Sequence, residues 1–160
     1  FPYTTLFRSY NNLDMLNKKI GIDPFDEKFT KSWLLDGLKY RKRIIKNLLL
    51  DQSFICGLGN IYIDEILWHS KIKPTKISNK ICKKNIDLLY TNIIDVLSTS
   101  IKFHGTTIIN FKFDNMKTGD YKNNLKVYGR KDMPCINCNS SIIKQTVANR
   151  STHFCEKCQN

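Results

Sequence analysis

A mainly α fold carrying a small cysteine-bound β unit at its C-terminal end is what this sequence predicts, from three observations. Apolar residues recur at three- and four-residue spacing between Phe25 and Ile101. After Gly105 the text turns β-branched and aromatic. Two C-x2-C pairs, Cys135/Cys138 and Cys155/Cys158, stand sixteen residues apart near the end.

Residues 1–24 read as loop, closing in the turn-like Gly21-Ile22-Asp23-Pro24. The first nine, FPYTTLFRS, do not blend with the Lys/Asn-rich text that follows and read as a truncated or artificial start. From Asp26 the chain is helical. Phe25, Phe29, Trp33, Leu34 and Leu38 form an apolar stripe, with Asp26 as the expected N-cap. A second helix is expected over Arg41–Ile55, stopped by Gly57-Leu58-Gly59. Asn60 then caps a third, Ile61 to about Lys71, which Lys73-Pro74 closes. The longest helix spans about Asn79–Phe103, with Ile86, Leu89, Ile93, Val96, Leu97 and Ile101 on its core face and His104-Gly105 as its stop. Thr106–Phe113 reads as strand, Asp114–Asp120 as polar loop, and Leu125–Tyr128 as a second strand. Ile142–Ala148 is strand-like between the cysteine pairs, with a hairpin turn at Ala148-Asn149-Arg150-Ser151. The expected organisation is an N-terminal remnant at 1–24, a helical domain at 25–105, a connecting segment at 106–122 and a cysteine-bound unit at 123–160. There are no internal repeats.

With 160 residues, 41% of them hydrophobic and 11% aromatic, the chain can bury a core and is not a wholly disordered polymer. Only 7 Gly and 4 Pro exclude collagen-like and linker classes. No apolar run approaches the ~18 residues of a membrane span, so no membrane partner is expected. Lys+Arg of 26 against Asp+Glu of 14 gives +12, a balance that favours a polyanion.

The cysteines carry the most specific signal. Each C-x2-C makes a tight knuckle that presents two thiolates to one ion, and two knuckles complete a tetrahedron. Cys135, Cys138, Cys155 and Cys158 are therefore expected to hold one Zn2+. The start carries no secretory pattern, so the compartment reads as reducing, and paired cysteines there indicate metal before disulfide. A unit this small cannot fold on its own core, and the metal would supply most of its folding energy. His153 is a rival ligand by type, but four cysteines fill the site and packing is its preferred role. Cys56 and Cys82 stand alone and read as helix-packed thiols.

The cations come in runs. Lys39, Arg41, Lys42, Arg43 and Lys46 place five in eight residues, and Lys71, Lys73, Lys76, Lys80, Lys83 and Lys84 follow with no acid among them. As a set such residues neutralise phosphates, although many single members are merely solvated. Between two predicted helices, Gly57-Leu58-Gly59-Asn60 forms a turn whose exposed amides sit at a helix N-terminus, where an anion can bind. The G-x-G-N pattern alone is weak, and most such matches are structural turns.

Taken together, these stretches carry a resemblance. Leu48-Leu49-Leu50-Asp51-Gln52 through Gly57-Leu58-Gly59-Asn60-Ile61-Tyr62, then Asp64-Glu65 and Lys73-Pro74, resembles the helix-two-turn-helix motif of the formamidopyrimidine-DNA glycosylases. Val127-Tyr128-Gly129-Arg130, Pro134-Cys135, and Arg150-Ser151-Thr152-His153-Phe154-Cys155 through Gln159 resemble that family's zinc finger. Ile20–Pro24 resembles its interdomain segment, so the likeness runs in order over about residues 13–160. Endonuclease VIII is a related alternative, and a non-catalytic zinc-ribbon nucleic-acid-binding module is another.

The resemblance implies a helix-two-turn-helix domain followed by a zinc-bound β-hairpin. The parent it implies is a bifunctional glycosylase and AP lyase that excises oxidised purines (formamidopyrimidine, 8-oxoguanine) in base excision repair. A monomer in the bacterial cytoplasm, associated with the nucleoid, is the implied setting, and damaged double-stranded DNA the implied partner. Asn60, with Gly59 beside it, and Arg150 would grip phosphates flanking the lesion, and Lys42 or Lys46 would make a further DNA contact. Arg150 is also linked in the family to the second elimination step as proton donor, a role that a guanidinium of pKa above ~12 performs poorly. The loop at about Met116–Tyr121 would cover the extruded base. The family's nucleophilic N-terminal proline, its adjacent glutamate and a catalytic lysine are not found, since Pro2 lies between Phe1 and Tyr3. The chain as written is therefore expected to bind DNA and zinc without catalysing base excision by itself.

Overall fold

The computed structural model describes residues 20–106 and 120–160. The expected strand at 106–113 and the loop expected to cover an extruded base fall almost wholly outside the described residues, as does the 1–9 segment. Helices α1 (Lys31–Lys39), α2 (Ile45–Leu50), α3 (Asn60–His69) and α4 (Lys83–Lys102) are followed by strands β1 (Ile143–Val147) and β2 (Arg150–Phe154). None of the described helices is long and apolar enough to cross a membrane.

Each element begins where a side chain or turn dictates, and several boundaries differ from expectation. Helix α1 starts at Thr30, whose Oγ1 accepts from Trp33 N–H at 3.1 Å, not at Asp26. Asp26 instead accepts from Lys28 N–H and closes a turn, which leaves Phe25 exposed while Phe29 is buried against Trp33 and Tyr90. The helix expected over Arg41–Ile55 is only α2. It stops at Asp51 because that carboxylate accepts from both the backbone N–H and the hydroxyl of Ser53, offering the backbone a turn in place of helix. Helix α4 starts at Lys83, not Asn79, and Ile101 is exposed rather than core. It ends as expected: His104 and Gly105 adopt positive φ, and Gly105 N–H returns to Ser100 O at 2.8 Å. Cys82 is exposed just before α4, so it is not a packed thiol.

Helix α3 runs through the middle of the molecule. Ile63, Asp64, Glu65, Ile66, Leu67 and Trp68 are all buried, so it presents no solvated face over this stretch. The larger apolar cluster joins α1 to α4 through residues such as Leu34, Leu49, Ile63, Leu67, Leu89 and Ile93. A second, smaller cluster is made by Trp68, Val127, Cys135, Ile142 and Cys155, so the helical part lends a tryptophan to the core of the cysteine unit.

Residues 125–128 form no strand. Their N–H groups turn inward to the Glu65 carboxylate: Lys126 N–H at 2.8 Å, Val127 at 3.0 Å and Tyr128 at 2.8 Å. A side chain from another element has taken the donors that a neighbouring strand would need. The hairpin does form. β1 and β2 pair antiparallel with Val147 opposite Arg150, and the two-residue turn places Ala148 and Asn149 at φ 57° and 55°. Both-positive turns of this kind match the twist of paired strands.

The segment before α1 is stitched to the turn after α2. Gly21 N–H donates to Gln52 O at 2.7 Å, and Ile22 bridges Ile55 in parallel. A Cβ on Gly21 would stand 2.4 Å from the Phe54 carbonyl carbon, so only glycine fits. Gly21→Ala is expected to lower stability by ~1–3 kcal/mol, the usual cost of overpacking. Chemical denaturation with an unchanged midpoint would contradict this.

Candidate nucleic-acid interface and metal centre

The turn between α2 and α3 is held from within. Gln52 Nε2 donates to Leu58 O (3.0 Å), and Gln52 Oε1 accepts from Gly57 N–H (2.9 Å), with Gly57 at φ 81°. This fixes Gly59 as the N-cap residue of α3 and Asn60 as its first helical residue, so Asn60 is not the cap. The opening N–H groups of such a helix have no intrahelical partner, and the positive end of its dipole points outward with them. Asn60 Nδ2 reaches across to Ser151 O at 2.9 Å, tying the start of α3 to β2. An amide nitrogen carries two hydrogens, so one remains to donate.

That tie brings together residues distant in sequence. Gly57, Gly59, Asn60 and Arg150, with Leu50 and Gln52, line one concavity of about 590 Å³. Arg43, Asn47, Ala148 and Asn149 line an adjoining one of about 600 Å³, with Leu50 and Arg150 common to both. Arg150 is exposed at the head of β2, directly after the turn. Arg43 is held toward this surface by Asp51 at 2.7 Å, and hydrogen bonds from Ser53 and Arg43 pull the Asp51 carboxyl down to about 2. Lys42 is exposed but lines neither concavity.

Lys46 requires a correction. Its side chain is 0% exposed, so it offers nothing to a phosphate. Nζ donates to Asp64 Oδ1 and to Thr152 Oγ1 (2.7 Å), while Asp64 Oδ2 accepts from His153 N–H (2.8 Å). Burial pulls the Lys46 ammonium below the usual lysine range, and Asp64 opposes that shift. A cation in a basic run was pulled inward by an acid on the next helix. Asp64 and Glu65 belong to the helix-two-turn-helix motif in the sequence, but motif membership does not reveal that Asp64 pairs with Lys46 or that Glu65 holds residues 126–128. The available signal was two adjacent acids inside the otherwise apolar run Ile61–Trp68.

The four predicted thiols converge. The sulfurs of Cys135, Cys138, Cys155 and Cys158 all lie within 4.8 Å of one another. Cys135 and Cys158 sulfurs are 3.8 Å apart, and those of Cys138 and Cys155 are 3.4 Å apart. Disulfide sulfurs sit ~2.05 Å apart, whereas a tetrahedral ion with ~2.3 Å metal–sulfur bonds separates its ligands by ~3.8 Å. The donor set thus fits a metal ion. Hydrogen bonds from Ser140, side chain and backbone, bring the Cys138 thiol down to about 6 and favour a thiolate. Burial pushes Cys135 up, but hydrogen bonds led by the Asn137 backbone N–H outweigh it and leave the thiol below its ordinary value. Gln159 locks the second knuckle, accepting from Cys155 N–H and donating to Ile72 O, both at 2.8 Å. His153 takes no part: it packs on Tyr128 and lies beside Asp64.

Fold and site together define a helix-two-turn-helix protein with a four-cysteine hairpin at its C-terminal end. Residues 20–112 match the family model described as the formamidopyrimidine-DNA glycosylase H2TH domain, and the chain belongs to that family. It is 42% identical over 141 residues to formamidopyrimidine-DNA glycosylase of Lactobacillus helveticus, covering 88% of this chain and 51% of the relative. It is 44% identical over 142 residues to that of Pediococcus pentosaceus, covering 89% and 52%. The chain thus spans about half the length of the curated relatives it matches. Among solved structures it is similar to Lactococcus lactis Fpg in complex with an abasic site containing DNA, with TM-score 0.85, 40% identity, and coverage of 91% of this chain and 54% of that one. It is also similar to MutM (Fpg) from Thermus thermophilus, with TM-score 0.84, 31% identity, and coverage of 95% and 57%.

Proposed function

We propose that this chain is the DNA-gripping part of a bacterial formamidopyrimidine-DNA glycosylase. The groove shared by the first turn of α3 and the β-hairpin receives the phosphates of lesion-containing duplex DNA. The observation that carries the reading is that Asn60, Gly59 and Arg150 line one concavity. Arg150 neutralises and clamps one phosphate, which its forked guanidinium suits. Asn60 and the free amides of α3 hold another. Lys42 adds charge from outside the groove. One Zn2+, held by Cys135, Cys138, Cys155 and Cys158, supplies structural bonding that keeps the hairpin in place. On this reading the parent, a monomer of the bacterial cytoplasm and nucleoid, excises oxidised purines and cleaves the resulting abasic site, while these 160 residues bind DNA without cutting it. Borohydride trapping on an abasic duplex tests that last point, and efficient covalent capture of this chain would refute it.

Binding to a duplex with a stable abasic analogue, measured over a range of salt, tests the grip. Arg150→Ala is expected to weaken binding and reduce the logarithmic salt slope by ~0.9, the contribution of one neutralised phosphate. Asn60→Ala is expected to weaken binding at nearly unchanged slope, since it removes no charge. It also removes the tie to Ser151, so its fold is to be checked alongside. Parental affinity in both variants at equal salt would overturn the assignment. Sequence preference is expected to be slight, because phosphate contacts position without reading bases.

A further inference from the structure

Trp68 stands in the last turn of α3, is 4% exposed, and packs against Cys135 with Val127, Ile142 and Cys155. Its indole Nε1 is fully buried and makes no hydrogen bond among the described residues. A buried indole N–H ordinarily finds an acceptor, because leaving one unmatched costs ~1–3 kcal/mol. Bulk water cannot reach this atom, and the apolar cluster that holds the ring includes the Cys135 and Cys155 side chains. Cys135 is itself 0% exposed. As a metal ligand it would carry thiolate charge in an apolar setting, where donors directed at the sulfur are the available compensation.

We propose that the Trp68 indole N–H donates to the Cys135 thiolate once the four sulfurs hold their metal, which makes Trp68 a positioning residue of the metal centre. The inference rests on the metal reading given above. An N–H directed at one sulfur draws electron density from it and fixes its orientation. The donor comes from α3, the helix whose opposite end carries Asn60, whereas all four thiols lie in the C-terminal unit. The metal centre is thereby anchored to the helix that presents the proposed phosphate grip.

The test uses the full chain loaded with Zn2+, Co2+ or 113Cd2+. Trp68→Phe keeps a ring in the apolar cluster and removes the donor together with part of the ring volume, so the charge-transfer energy is the reading specific to the donor. Its Co2+ form is expected to retain the d–d bands of a tetrahedral four-sulfur site, while the sulfur-to-cobalt charge-transfer band moves to longer wavelength. Competition with a chelator is expected to show zinc bound about tenfold more weakly, the lower end of the effect of losing a group that orients a ligand. Trp33→Phe, remote in the larger cluster, is expected to change neither reading. Unchanged charge-transfer energy and unchanged zinc affinity in Trp68→Phe would overturn the proposal. Should that variant fail to fold, the unmodified 113Cd2+ chain decides. A scalar coupling between the Trp68 indole proton and 113Cd through sulfur supports the bond, and its absence refutes it. If the unmodified chain takes up none of the three ions, the metal reading itself fails.

Discussion

Replacing Cys155 with serine is expected to release the metal and unfold residues 127–160, while helices α1 to α4 persist. The hairpin has five residues per strand, and a two-stranded sheet of that size is marginal in water. Its own cluster is five residues, of which two are cysteines and one, Trp68, is borrowed from α3. Against that small core, binding of a structural zinc by four thiolates is worth ~10–16 kcal/mol in isolated finger peptides. The helical cluster depends on none of the four ligands, so far-ultraviolet circular dichroism should retain most of its helical signal. Amide cross-peaks from 127–160 should collapse to disordered positions, and metal analysis should fall from about one zinc per chain to none. Affinity for a lesion-mimic duplex should drop at least about tenfold, because the hairpin no longer carries Arg150 into the groove. A Cys155→Ser chain that keeps stoichiometric metal, or binds DNA as before without it, would contradict the expectation. Cys56→Ser and Cys82→Ser should leave metal content unchanged, as both lie outside the thiol cluster.

The parts that were legible in the sequence have local causes. The convergence of the four thiols follows from C-x2-C knuckles, whose geometry is dictated within four residues. The α2–α3 turn follows from Gly57 and Gly59, and the end of α4 from His104-Gly105. Most of what was not legible was set by groups brought together from far along the chain. Leu125–Tyr128 alternates like a strand, yet its donors bond Glu65, and no periodicity records where a carboxylate on another helix points. Lys46 sits in a run of cations indistinguishable in type from Lys42, and only the position of Asp64 decides that one is buried and the other exposed. Asp51 ended α2 early by a bond to its own near neighbours, a competition that helix periodicity does not see.

Lys46→Met should be the most destabilising single change outside the metal site, at ~3–5 kcal/mol. It leaves the Asp64 carboxylate fully buried with the His153 N–H as its remaining close donor, and it takes from Thr152 Oγ1 the ammonium that donates to it. Asp64→Asn breaks the same pair from the other side, and its consequence differs in a way that pH exposes. A lysine can shed its charge by giving up a proton. Burial already lowers the Lys46 pKa in the folded chain, and removing Asp64 lowers it further. Between that depressed value and the ordinary lysine value, the unfolded chain then binds more protons than the folded one. Stability of Asp64→Asn must therefore rise with pH across that window. Lys46→Met has no such proton to lose, and its own stability should stay flat over the same range. Denaturant midpoints of the two variants from neutral to alkaline pH make the comparison. The double variant should cost less than the two single losses combined, because their shared interaction is counted once. Parallel pH profiles for the two single variants, or additive losses in the double, would show that Lys46 and Asp64 do not act as a buried pair. The pair joins α2, α3 and β2 at one point. Both single variants should therefore also weaken DNA binding without changing its salt slope, since neither residue reaches a phosphate and what is lost is the alignment of Asn60 with Arg150.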